Sequence, residues 1–93
     1  MIRSFAGRDT EQVWQGIRSR RLPDDVQRAG QRKLELLDAA ETIGDLREPP
    51  SNRLEMLKGD RKGFWSIRIN RQWRVIFRWV DGYAENVEII DYH

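Results

Sequence analysis

The sequence predicts an α+β domain in which two N-terminal helices pack on one face of a mainly antiparallel β-sheet. Three observations carry this expectation. Apolar residues recur at helical spacing as far as about Glu41 and then, from Arg53 onward, at every second position. Asp81-Gly82 stands between two alternating segments, as a two-residue hairpin turn does. Finally, 93 residues without a cysteine leave room for a single domain, residues 1–93, whose one core is held by packing and not by disulfides.

Taken in order, Ile2 to Phe5 suits a short strand. Asp9 is then a candidate N-cap with Gln12 as its capping-box partner. It opens a first helix from about Thr10 to Ser19, with Val13, Trp14 and Ile17 on one apolar face and Gly16 as a weak point. Pro23 fits the first turn of a second helix, with Asp24 and Asp25 behind it, running to about Glu41. Val26, Gly30, Leu34 and Leu37 form its buried stripe. A mid-helix glycine costs about 0.5–1 kcal/mol relative to alanine, so Gly30 implies close approach to the first helix or to the sheet. Thr42 to Asn52, with Pro49-Pro50 inside it, reads as a loop.

The strands follow. Leu54 and Met56 alternate with Glu55 and Leu57, and Lys58 to Gly63 makes a polar turn with a glycine near each end. Phe64 to Ile69 places Trp65, Ile67 and Ile69 on one face. Trp73 to Val80 does the same with Trp73, Val75, Phe77 and Trp79, and the last strand adds Val87 and Ile89. These nine residues form the face that the helices cover. Trp14, Trp65, Trp73 and Trp79 all fall on core faces, so they read as core and not as stacking platforms. Phe64 and Tyr92 lie off that face and are the better candidates to stack on a base.

Charge is unevenly spread. The whole chain carries +2, yet residues 49–78 hold eight Lys/Arg against two Asp/Glu, and residues 79–93 hold no Lys/Arg against four Asp/Glu. The uncovered sheet face bears Arg68, Arg74 and Arg78 beside Ile76 and Ile90, with Lys58, Arg61 and Lys62 in the turn near its edge. Guanidinium groups on neighbouring strands suit phosphate, which points to nucleic acid. The plainer reading is a solvated face whose arginine stems cover Ile76. The turn lacks the GxxxxGK[ST] spacing of a nucleotide-triphosphate loop. With one histidine and no cysteine, neither a metal site nor a cofactor is expected. No apolar run long enough for a signal peptide or a membrane span occurs, so the expectation is a cytoplasmic chain without a membrane partner.

Three segments together resemble a known family: Leu57 to Ile67 (LKGDRKGFWSI), Trp73 to Phe77 (WRVIF) and the terminal Asp91-Tyr92-His93. The sequence is similar over nearly its whole length to the HigB-like toxins of the RelE superfamily, small ribonucleases of type II toxin–antitoxin systems. The resemblance implies a RelE-like fold and ribosome-dependent cleavage of mRNA without a metal. It also implies a cognate antitoxin, and contact with operator DNA only indirectly, through the toxin–antitoxin complex. By position it implies that Lys58 and Arg74 neutralise the phosphate and that Asp91, Tyr92 and His93 supply the terminal part of the catalytic centre. Arg61, Lys62, Phe64, Arg68 and Arg78 are the expected RNA-binding residues. One position departs from the pattern. Family members usually read Leu-His-Pro-Leu-Lys-Gly where this chain reads Leu54-Glu55-Met56-Leu57-Lys58-Gly59, so Glu55 replaces a histidine.

Metal-free RNA cleavage needs a base for the 2′-hydroxyl proton, positive charge for the pentacovalent phosphate and an acid for the departing 5′-oxygen. Glu55 is the candidate base and His93 the candidate acid, while Lys58 and Arg74 supply the charge. Lys58 close by favours the ionised form of Glu55. The alternative expectation is therefore a catalytically weak or inactive RNA-binding homologue that retains antitoxin binding.

Overall fold

The computed structural model describes residues 1–92. Helix α1 spans Arg8–Trp14 and α2 spans Asp24–Ala39. Short 3₁₀ turns at Ile43–Arg47 and Pro50–Asn52 lead to β1, Glu55–Met56. A third 3₁₀ turn, Gly59–Arg61, precedes β2 (Trp65–Arg68), β3 (Trp73–Val80) and β4 (Tyr83–Asp91). The strands form one antiparallel sheet in the order β1-β2-β3-β4.

The expected apolar face is the core. Ile67, Val75, Phe77, Val87 and Ile89 are buried, and Trp65, Ile69, Trp73 and Trp79 pack against them, as does Trp14 from α1. The four buried positions of α2 are Val26, Gly30, Leu34 and Leu37. Gly30 lies close against the sheet: a Cβ built there would lie 3.0 Å from Cδ1 of Ile89 and 3.5 Å from Cδ1 of Ile69.

Several local expectations are corrected. The first helix stops at Trp14 and does not reach Ser19, because Gly16 terminates it. With Gly16 at φ 79°, its N–H donates to the Val13 carbonyl at 3.1 Å and that of Ile17 to the Gln12 carbonyl at 2.8 Å, the paired bonds of a Schellman ending. Ile17 is consequently half exposed, not on the core face. Gly7 and not Asp9 is the N-cap, and the Asp9 carboxylate instead accepts a bond from Ser19 Oγ at 2.9 Å. Helix α2 ends at Ala39, two residues short of Glu41, with Pro23 at its N-cap.

The N-terminal segment makes only two isolated parallel bridges, Ile2 with Ala84 and Phe5 with Val87, instead of a strand. Thr42 to Asn52 is folded into two 3₁₀ turns around Asn52, which is wholly buried. Its amide nitrogen donates to the carbonyls of Leu46 and Glu48, each at 3.1 Å. In β1 the alternation fails. Met56 is 62% exposed and Leu57 is buried, because the chain turns out of the strand after two residues. Strand β2 is likewise shorter than Phe64 to Ile69.

Strand β4 carries a bulge. Ile76 pairs with Glu88 while Arg78 pairs with Glu85, so two β4 residues, Asn86 and Val87, stand opposite the single residue Phe77. Asn86 takes the left-handed conformation, φ 53°, and its N–H is held by Ser4 Oγ at 2.9 Å. The extra residue explains why Ala84 and Val87, at odd spacing, are both buried.

Candidate active site

On β3 the inward run Trp73, Val75 and Phe77 forces Arg74 to the face away from the helices. There its guanidinium reaches over β2. The same nitrogen, Nη1, donates to Ser66 Oγ at 3.0 Å and to Glu55 Oε1 at 3.0 Å. Ser66 is fully buried, so its hydroxyl is a fixed anchor. The Arg74 side chain is only 17% exposed against 48% for Glu55, which leaves the carboxylate as the accessible end of the pair.

Tyr92 closes the other side, with the guanidinium carbon of Arg74 at 5.0 Å from its ring centroid, inside cation–π range. The tail is tied down just there. Tyr92 N–H donates to the Gln72 carbonyl at 2.6 Å, and Gln72 Nε2 donates to Asp91 Oδ2 at 2.9 Å. Asp91 pairs with Trp73 and Ile90 with Arg74, so strand alternation places Tyr92 with Arg74 and Asp91 with Trp73. His93, expected to share this centre, lies outside the described residues.

The remaining expected residues form a second group. Arg78 lies over Phe64, 4.6 Å from the ring centroid, and a Cβ at Gly63 would meet its Nη1 at 3.3 Å. Gly59 and Gly63 hold φ 65° and 94°, and these left-handed positions let the Lys58 to Gly63 turn fold tightly. Lys58, Arg61 and Lys62 are exposed on it. Lys58 follows Glu55 by three residues, after β1 has ended and just before the Gly59–Arg61 turn. Arg68 is opposite Arg74 in the register, and its Nε donates to the Asn70 carbonyl at 2.9 Å. The structure therefore gathers Glu55, Arg74 and Tyr92, with Arg68 beside them and Arg78 and Phe64 as a separate pair.

Two members of the cluster escaped the sequence reading, Ser66 and Gln72. Ser66 falls on the arginine face by alternation, which was the available signal, but a lone serine in a strand announces nothing about its partner. Ile76, placed on the same face as if open to solvent, is only 4% exposed. Among the described residues no three His, Cys, Asp or Glu side chains converge as metal ligands. None of the helices there is long and apolar enough to cross a membrane.

Residues 3–93 match the family model described as the RelE-like toxin of the type II toxin–antitoxin system HigB. The chain is 48% identical over 87 residues to "Toxin HigB-1" of Vibrio cholerae, covering 92% of each protein. It is 36% identical over 94 residues to "Endoribonuclease HigB" of Proteus vulgaris, over the full length of both. Among solved structures it resembles YafQ from E. coli, with a TM-score of 0.64 at 15% identity, covering 98% of this chain and 93% of that one. It also resembles the YoeB-YefM complex from Staphylococcus aureus, with a TM-score of 0.62 at 16% identity, covering 100% and 98%. At such identities the structural likeness speaks for the fold, and it agrees with two helices laid on a four-stranded antiparallel sheet. The match of a family model to almost the entire chain, together with relatives aligned over 92% or more of their length, establishes that this chain belongs to the HigB-like toxins, RelE-like toxins of type II toxin–antitoxin systems.

Proposed function

We propose that this toxin is an endoribonuclease that cuts mRNA on the ribosome by metal-free acid–base chemistry and is restrained by a cognate antitoxin. The observation that carries the reading is the seating of Arg74, a cation fixed by Ser66 and Glu55 on the face the helices leave uncovered. A guanidinium held in place before substrate arrives loses little on reorganisation, and a partly desolvated one acts strongly on developing negative charge. A relative described as an endoribonuclease supports the activity. Neighbours of the same fold described in a toxin–antitoxin complex support the partner.

In this mechanism the Glu55 carboxylate takes the proton of a 2′-hydroxyl. The freed oxygen attacks the adjacent phosphorus, giving a 2′,3′-cyclic phosphate as the bond to the 5′-oxygen breaks. Arg74, helped by Lys58, neutralises the pentacovalent phosphate. His93 returns a proton to the departing 5′-oxygen. Tyr92 packs its ring against the Arg74 guanidinium, and Asp91 anchors the tail through Gln72. Arg61, Lys62, Phe64, Arg68 and Arg78 position the RNA on either side. Requirement for a 2′-hydroxyl selects RNA over DNA.

A second reading has a specific basis. Glu55 stands where the family usually has histidine, and its ion pair offsets the charge of Arg74. On that reading the chain still binds RNA and antitoxin but cuts slowly. Cleavage of one transcript, free and during translation, separates the two. Efficient cleavage only during translation supports the proposal, and its abolition on truncating His93 assigns the acid. Equal cleavage of free and translated RNA rejects ribosome dependence, and no cleavage of either supports the second reading.

A further inference from the structure

Next to the candidate active site a groove of about 450 Å³ opens between α2, the Pro50–Asn52 turn and the β2–β3 connection. Lys33, Arg53, Arg68 and Arg71 line it with Ser51 and Asn70, and its lining contains no carboxylate. Arg3, Arg18 and Arg74 elsewhere each meet an acidic partner, whereas none of these four cations forms an ion pair among the described residues. Neutral groups hold two of them in position. Lys33 Nζ donates to Oδ1 of the wholly buried Asn52 at 2.6 Å. Arg68 spends only its Nε, on the Asn70 carbonyl, which leaves its two terminal nitrogens for a ligand. The crowding has an electrostatic cost. Burial, and then the nearby Arg32 charge, lower the Lys33 ammonium's hold on its proton, and the charge of a bound anion opposes that shift by favouring the charged form.

We propose that this groove binds backbone phosphates of the substrate RNA to one side of the cleaved bond. The inference rests on the RNA-cleaving reading above and extends it to the path of the strand. Arg68 is the link. It lies directly opposite Arg74 in the β2–β3 register, so a strand whose reacting phosphate sits at Arg74 continues over Arg68 into the groove. A lining of separated cations suits the repeating charge of a nucleic-acid backbone. A protein segment would call for apolar side chains to pack on, and in this lining Ile69 is the single one among four cations.

The test uses the full-length protein and single-stranded RNA made uncleavable by a 2′-deoxy sugar at the target nucleotide. Two lengths are needed, one confined to the target step and one extended on both sides. Fluorescence anisotropy gives affinity across a salt series for wild type and for an Arg53→Gly, Arg71→Ala double variant. Both positions are exposed, and glycine suits the φ of 46° at residue 53, so folding is preserved. The expected result is at least severalfold weaker binding of the long RNA, with a log–log salt slope shallower by about 0.7 for each phosphate that the variant no longer neutralises. The short RNA should bind both proteins alike. Unchanged affinity and slope on the long RNA overturn the groove assignment. If the same variant instead loses antitoxin binding, the groove serves a protein. Cleavage of a translated transcript by the wild-type protein keeps the failures apart: if none occurs, the RNA-cleaving reading itself has failed, whereas cleavage together with wild-type binding by the double variant fails the groove assignment alone.

Discussion

Arg74 and Glu55 meet across an intervening strand: the arginine starts on β3, passes over Ser66 of β2 and ends 3.0 Å from the carboxylate on β1. The pair therefore couples a sheet-edge residue to the interior of the sheet. In the proposed mechanism it places a proton acceptor next to the charge that receives the phosphate, and it means that incoming phosphate competes with Glu55 for Arg74.

Replacing Arg74 with alanine should lower the single-turnover cleavage rate by roughly 100-fold or more, as loss of one preorganised charge donor does elsewhere. Arg74→Lys should recover little, because an ammonium cannot reproduce the planar guanidinium seated between Ser66, Glu55 and Tyr92. A variant that binds RNA more weakly but cuts at the wild-type rate would reassign Arg74 to positioning.

If Glu55 is the base and His93 the acid, the chemical rate should rise and then fall with pH. Glu55→Gln should erase the rising limb while binding RNA no more weakly than wild type, because it frees Arg74 from its ion pair. Glu55→His tests the departure from the family pattern directly, and a faster enzyme would identify the carboxylate as a weaker substitute. A single-turnover pH profile that neither substitution alters would make Glu55 a bystander.

Gly30→Ala should destabilise the fold despite the gain of about 1 kcal/mol in helix propensity. The new methyl meets Ile89 Cδ1 at 3.0 Å in a closed contact between α2 and the sheet, and overpacking of this kind costs about 1–3 kcal/mol. Chemical denaturation should show a net loss of about 1 kcal/mol. Adding Ile89→Val, which removes that Cδ1, should return part of it; strict additivity of the two losses would rule out the clash as cause.

Asp45 contributes a pH-dependent part of the stability. Backbone N–H groups of Thr42 and Glu41 donate to its Oδ2 at 3.1 and 2.9 Å and hold its carboxyl below the usual 3.8, the Thr42 bond being the larger influence. The folded state thus favours the ionised form. Its contribution is complete above the unfolded carboxyl's range and disappears as pH falls through the lower folded value. Asp45→Ala should lower the unfolding midpoint at pH 7, and the gap to wild type should close in acid. A gap constant with pH would refute the assignment.

The sheet was legible in the sequence where one physical rule governed. Trp73 to Val80 appears at its expected bounds with Trp73, Val75, Phe77 and Trp79 on the core side, and Asp81-Gly82 turns with φ of 52° and 82°. Legibility failed where a glycine or a local side-chain bond outweighed periodicity. Gly16 looked like a defect inside a helix and is its terminator, and Asn52 looked like a loop residue and is a buried hub for three side-chain bonds. The candidate site was readable as a set of residue types on one face. Which of them touch was not, since the meeting of Arg74 with Glu55 depends on β1 pairing with β2 at a particular register.

The bulge at Asn86 couples the two ends of the chain. One extra residue shifts the phase of β4, so that the strand can lean Ala84 on the core and still deliver Tyr92 beside Arg74, and Ser4 from the opposite end clasps the shift in place. The clasp itself exists only once residue 86 meets residue 4, partners far apart in the sequence. During synthesis the nascent chain therefore lacks the assembled cluster until β4 is free to pair. Loss of a single residue from β4 would be harsher than most substitutions, because it would turn Tyr92 to the wrong side while leaving every other strand intact.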